Sequence, residues 1–180
     1  MNSETAKKND EILACVEGDQ ACVEVRGRGT FKVSGSLKRF VDKEVREEGV
    51  RQVLIDFSHC VSMDSTFMGV LAGLSQRLRA NRGHLILFNL SRKNRELLHT
   101  LGIDRVLELV EPEQVPSQSC SIDSGRPIYL NGNNEGREEQ ARIMLRAHRT
   151  LAELNEQNRD RFRNVIKFLS EDLDRMNHSG

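Results

Sequence analysis

The stretch that most restricts this chain is VLIDF, residues 53–57, followed by a short loop and a helical pattern. An apolar run this short is typical of a strand buried on both faces, as in a sheet covered by helices. A second such run falls at 85–88. Between them Phe67, Leu71, Leu74 and Leu78 step by four, three and four, which is one face of a helix closed by 81–83. Upstream, 11–16 and 21–26 read as strands joined by a Gly18-Asp19 hairpin turn. Ser34 or Ser36 is expected to cap a helix that buries Leu37, Phe40, Val41 and Val45 and ends at Gly49. Ser91 caps a short helix carrying Leu97, Leu98 and Leu101, and 106–110 forms a last strand. The order ββαβαβαβ, closed by right-handed crossovers, predicts an α/β domain over 11–115 with a mostly parallel, mixed sheet.

The rest of the chain has a different character. Residues 116–136 concentrate Gly, Pro, Ser and Asn and read as a linker. Residues 137–177 lack Pro and Gly. Their apolar positions, Ile143, Ala147, Leu151, Leu154, Phe162, Val165, Leu169, Leu173 and Met176, follow an eleven-residue period when Asn158 is included. A continuous helix here would be about 60 Å long. Asn155 to Asp160 forms helix weakly and is a candidate break. One apolar stripe does not sustain an isolated helix in water. It therefore wants the sheet domain, a second copy or another protein. Arg142, Arg146 and Arg149 read as a solvated face.

Charge excludes some functions. The 27 basic and 27 acidic residues cancel, so no global field recruits nucleic acid or an anionic membrane. No apolar run approaches the roughly 20 residues of a membrane span. The polar N-terminus is not that of a secretory signal. Cys15, Cys22, Cys60 and Cys120 form no C-x-x-C pair and read as reduced thiols in a cytoplasmic chain.

The polar trio Asp64-Ser65-Thr66 interrupts this apolar setting where a strand hands over to a helix. Asp64 or Ser65 is a good N-cap. A phosphate on Ser65 would lie near free helix N–H groups and also beside the Asp64 carboxylate. Up to about two added negative charges would expel a partner docked on Phe67 and Met68.

VLIDFSHCVSMDSTFMGVLAGL resembles the signature of the STAS domain, the anti-sigma factor antagonist family: an apolar strand, a loop, then Asp-Ser-Ser/Thr, a small residue, an apolar residue and Gly. The signature falls on Asp64, Ser65, Thr66, Phe67, Met68 and Gly69, and the element order over 11–112 agrees. The resemblance implies that Ser65, rather than Thr66, is the phospho-acceptor. It implies a partner surface at Asp64, Ser65, Thr66, Phe67 and Met68. It also implies an anti-sigma serine kinase as partner and a PP2C-type phosphatase. Such a protein is a partner-switching module in signal transduction and transcription regulation, not an enzyme. The alternative is a constitutive scaffold or complex subunit in which Ser65 only caps. Two departures stand out: Phe67 replaces the usual Gly or Ala, and RGRGTFKVSGS lacks the Asp that many members carry there. The segment 137–177 lies outside the resemblance, so its own partner or oligomer contact is a separate expectation.

Little else suggests chemistry. Gly27 and Gly29 fail the G-x-G-x-x-G fingerprint and read as a turn. His59-Cys60 lacks the further ligands a zinc site needs. The five histidines form no local cluster, and no nucleophile motif is present. No cofactor or metal is expected.

Overall fold

The computed structural model describes residues 10–115, 122, 126–130 and 135–178. β1 (Glu11–Glu17) and β2 (Gln20–Gly29) form the expected antiparallel hairpin, with Glu17 opposite Gln20 and Gly18 at φ +60° in the turn. β2 runs further than the sequence suggested. Gly27 and Gly29 belong to the strand, and a register shift between Gly27 and Arg28 bends it. α1 (Phe31–Glu47) starts early, with Thr30 at its N-cap. Ser34 and Ser36 are therefore buried inside the helix and are not its caps.

β3 (Gln52–Asp56) pairs in parallel with β2. A short β4 (Cys60–Met63), expected as loop, pairs in parallel with the end of β2. α2 (Ser65–Ala80) and β5 (His84–Phe88) follow as expected. α3 (Arg92–Thr100) is capped by Ser91, whose hydroxyl accepts from the Asn94 N–H. β6 shrinks to Glu108–Leu109. In the region expected as a linker, β7 (Ile128–Tyr129) pairs antiparallel with β1. Among the described residues the sheet order is β6-β5-β3-β2-β1-β7, with β4 on β2. The ladders from β2 through β6 are parallel and the hairpin edge is antiparallel, so the sheet is mixed.

The helix-side core joins Ile12, Val23, Val53, Ile55, Leu85 and Leu87 from the sheet to Leu37, Phe67, Leu71 and Leu78. Cys15, Cys22, Leu54 and Ile86 make a smaller cluster. Cys15 and Cys60 carry free thiols. Cys22 takes part in a disulfide, which corrects the expectation of an all-thiol chain. Cys120 lies outside the described residues.

The C-terminal segment is two helices, α4 (Arg137–Leu154) and α5 (Glu156–His178). The break falls at Asn155, inside the expected window. Its backbone is extended, and its side-chain oxygen accepts from the Asn158 N–H to start the next helix. α5 folds back antiparallel along α4: Arg149 reaches Ser170 and Arg142 reaches Asn177. Of the three ways to cover the apolar stripe, the chain uses its own sheet domain. Ile143, Ala147, Leu151 and Phe162 join the main core. A second stripe on α4, Ala141 and Leu145, meets Leu169 and Leu173 of α5.

Candidate functional site

Asp64 is the N-cap of α2 and also completes α1. One carboxylate oxygen accepts from the Phe67 N–H at 2.8 Å, inside α2. The other accepts from the Phe31 N–H at 2.8 Å, the first residue of α1. Thr30, the N-cap of α1, supplies no side-chain bond itself. A single carboxylate thus satisfies donors on two helix N-termini, where negative charge is favoured. The Asp64 N–H is held in turn by the Gly29 carbonyl at 2.9 Å. This lattice fixes where Ser65 begins α2.

Ser65 is half-buried, and its hydroxyl is bound by a residue 83 positions away. Ser65 Oγ lies 2.9 Å from His148 Nε2. His148 Nδ1 lies 2.8 Å from the Met144 carbonyl oxygen, which can only accept. Nδ1 therefore carries the proton of the neutral ring, leaving Nε2 to accept from the Ser65 O–H. His148 is 4% exposed. Burial pushes its pKa below 6.5, against smaller upward effects of the Met144 carbonyl and the Asp64 charge. Phe162 of α5 closes the far side, with ring centroids 5.3 Å apart. Because both Asp64 oxygens serve backbone donors and His148 Nδ1 serves a carbonyl, Ser65 and His148 form a hydrogen-bonded clamp without the carboxylate orienter of a catalytic triad.

The other expected site residues point elsewhere. Thr66 is 3% exposed, which leaves Ser65 as the accessible hydroxyl of the pair. Phe67 is completely buried and lies against Gly29, where an added Cβ would come within 2.7 Å of the ring. The bulky residue that departs from the family pattern is therefore core, fitted by a glycine on β2. Met68 is buried too. In this conformation neither Phe67 nor Met68 offers a side chain to a partner. What covers this end of α2 is α4: a Cβ on Gly69 would sit 2.4 Å from the Ala147 carbonyl oxygen.

Sequence reasoning missed His148. A signal was present: Ala141, Leu145, His148 and Ala152 step by four, three and four, a second buried stripe on a helix read as having one. His59 bonds Glu24 at 2.7 Å, beside Arg26. The Arg26 bond, with help from His59, holds the Glu24 carboxyl below its usual range. Burial pushes the Cys60 thiol up. Among the described residues no group of His, Cys, Asp and Glu could hold a metal ion, and no helix is long and apolar enough to cross a membrane.

Comparison with known proteins agrees with this architecture. The sequence model of the STAS domain family matches residues 8–114. The solution structure of the protein TM1081 is 17% identical over 62% of this chain and 90% of its own, with a TM-score of 0.51. The anti-sigma factor antagonist SpoIIAA in its unphosphorylated form is 21% identical over 52% of this chain and 94% of its own, at 0.44. An anti-sigma factor antagonist from Mycobacterium paratuberculosis is 18% identical over 66% and 92%, at 0.49. The α4–α5 hairpin lies outside the family match, which takes in more than half of the sequence: the chain belongs to the STAS domain family.

Proposed function

We propose that this protein is a phospho-regulated interaction module of the anti-sigma factor antagonist kind, with Ser65 as its acceptor. The observation that carries the reading is the placement of Ser65. It is the first residue of α2, half-buried beside a buried Thr66, on a helix start that Asp64 anchors to α1. A hydroxyl there can be modified with little rebuilding of the sheet. The added charge would lie at the helix N-terminus but against Asp64, where repulsion changes the surface. Two of the similar proteins are anti-sigma factor antagonists, and one of them, SpoIIAA, is known in both unphosphorylated and phosphorylated forms. By that likeness the partners are an anti-sigma factor with serine kinase activity and a PP2C-type phosphatase. Asp64 and Ser65 are the contact residues of the motif with accessible surface in this conformation. Thr66, Phe67 and Met68 contribute by shaping the helix beneath them.

Phosphopeptide mapping of the protein from its own cells, in growth and under stress, tests the reading. Phosphate on Ser65 that varies with condition is the expected result. An unmodified Ser65 in every condition overturns it and leaves a constitutive STAS scaffold.

A further inference from the structure

The hydroxyl read as the acceptor is already occupied. Ser65 Oγ is 2.9 Å from His148 Nε2, so the oxygens of a phosphate ester would have to enter the volume of the imidazole ring. His148 cannot simply swing away, because Phe162 packs on it and the Met144 carbonyl holds Nδ1. One turn further along, Gly69 of α2 touches the Ala147 backbone so closely that a single added carbon would collide. The face of α2 beside Ser65 therefore has no space for a partner while α4 is docked.

The same seam is not packed evenly along its length. Between α1, α2 and α4 a cleft of about 230 Å³ remains, lined by Lys38, Asp42, Arg77, Arg146 and Thr150 as well as by Gly73. A cleft of that size with charged walls admits water, so this part of the seam adds less apolar burial than a closed contact would. At one end Asn158 donates to the Leu101 carbonyl at 2.8 Å and Asn155 reaches the same oxygen at 3.5 Å, and at the other Arg39 of α1 pairs with Glu135, just ahead of α4. The hairpin also has an internal cluster of its own, Ala141, Leu145, Leu169 and Leu173, which can persist when it leaves α2.

We propose that the α4–α5 hairpin is an internal latch over Ser65, closed in this structure, that excludes both phosphate on Ser65 and a partner helix on α2. Its physical core is a linkage: a charged group at position 65 and docked α4 disfavour each other reciprocally. Its biological meaning rests on the reading of Ser65 given above. α4 also describes the competitor it keeps out. That competitor is an amphipathic helix with a small residue opposite Gly69, as Ala147 is, and aliphatic residues four before and four after, as Ile143 and Leu151 are.

Hydrogen–deuterium exchange on the full-length protein tests the latch without a partner. Ser65→Glu places a carboxylate where the imidazole sits, whereas Ser65→Ala only removes a hydrogen bond. Exchange over 141–154 is expected to be about tenfold or more faster in Ser65→Glu than in Ser65→Ala, with β3 and β5 still protected in both. Equal protection of 141–154 in the two variants overturns the latch. Should Ser65→Glu also open the sheet, Ala147→Glu supplies the reading from the α4 side: exchange over 141–154 that rises with β3 and β5 intact supports the latch, and exchange that stays low or rises only with loss of the sheet overturns it. Phosphopeptide mapping bears on the acceptor reading alone, so the two fail separately.

Discussion

The sheet domain and the C-terminal hairpin are both helical where they meet, yet they are held by different means. α2 lies on the sheet with Phe67, Leu71 and Leu78 fully buried and its start fixed by a carboxylate shared with α1. α5 buries Phe162, Leu169 and Leu173 and leaves Phe168 59% exposed. The first helix is determined by long-range packing on a core of parallel strands. The hairpin is determined mainly by α4, which has one stripe for α2 and another for α5. A loss of stability in one of the two therefore need not be shared by the other. A region with fewer buried apolar contacts opens at a lower free energy than the core.

The most disruptive way to test that comparison is Phe67→Ala. It removes a fully buried ring that lies against Gly29 of β2, and should cost about 3–5 kcal/mol of global stability in denaturant melts. A change confined to the hairpin would break the comparison. Leu169→Ala should cost about 2 kcal/mol, near the low end for such a truncation because its cluster with Ala141, Leu145 and Leu173 lies between two helices that can close on the space. Its effect should appear as faster amide exchange in α4 and α5 with an unchanged sheet. Asp64→Ala should cost about 1–2 kcal/mol by removing the caps of α1 and α2, seen as lower thermal stability of the whole domain. If only α2 frays, the shared carboxylate matters less than its geometry suggests.

A smaller effect comes from pH. His148 is docked as a neutral ring with its pKa lowered by burial, while an undocked ring would titrate at its ordinary value near 6.5. Between those two values the undocked state binds more protons, so docking is favoured above pH 6.5 and weakens as pH falls below it. The Asp64 charge opposes this shift without reversing its direction. Exchange over 141–154 should therefore quicken in mildly acidic buffer in the wild type and lose that dependence in His148→Gln. The smallest effect expected is that of Phe168→Ser, within about 0.5 kcal/mol, since the ring is exposed. A large loss there would show that this face of α5 is covered in solution.

Much of the site was legible because its signals are local. An Asp followed by three residues of helix start reads as a cap wherever it falls, and Asp64 is one. The break near residue 155 was equally local: an Asn whose oxygen can restart the helix. The hairpin turn at Gly18 followed from the two residues themselves. The errors share the opposite cause. Gly27 and Gly29 read as a turn until β4 arrives beside them, because a strand end with a bulge needs its partner to be recognised. Ser34 and Ser36 lost the cap position because Asp64, far along the chain, supplies a bond to the first residue of α1.

By itself the sequence determined an α/β domain with a capped helix after β3, a family, a candidate acceptor at Ser65 and a broken amphipathic tail. These depend on spacing and on side chains acting on their own backbone. Only the tertiary structure decided that Phe67 faces Gly29, that the tail folds onto its own domain, and that His148 holds the Ser65 hydroxyl. Contacts across 83 positions arise from how helices stack, and periodicity names a buried face without naming what buries it.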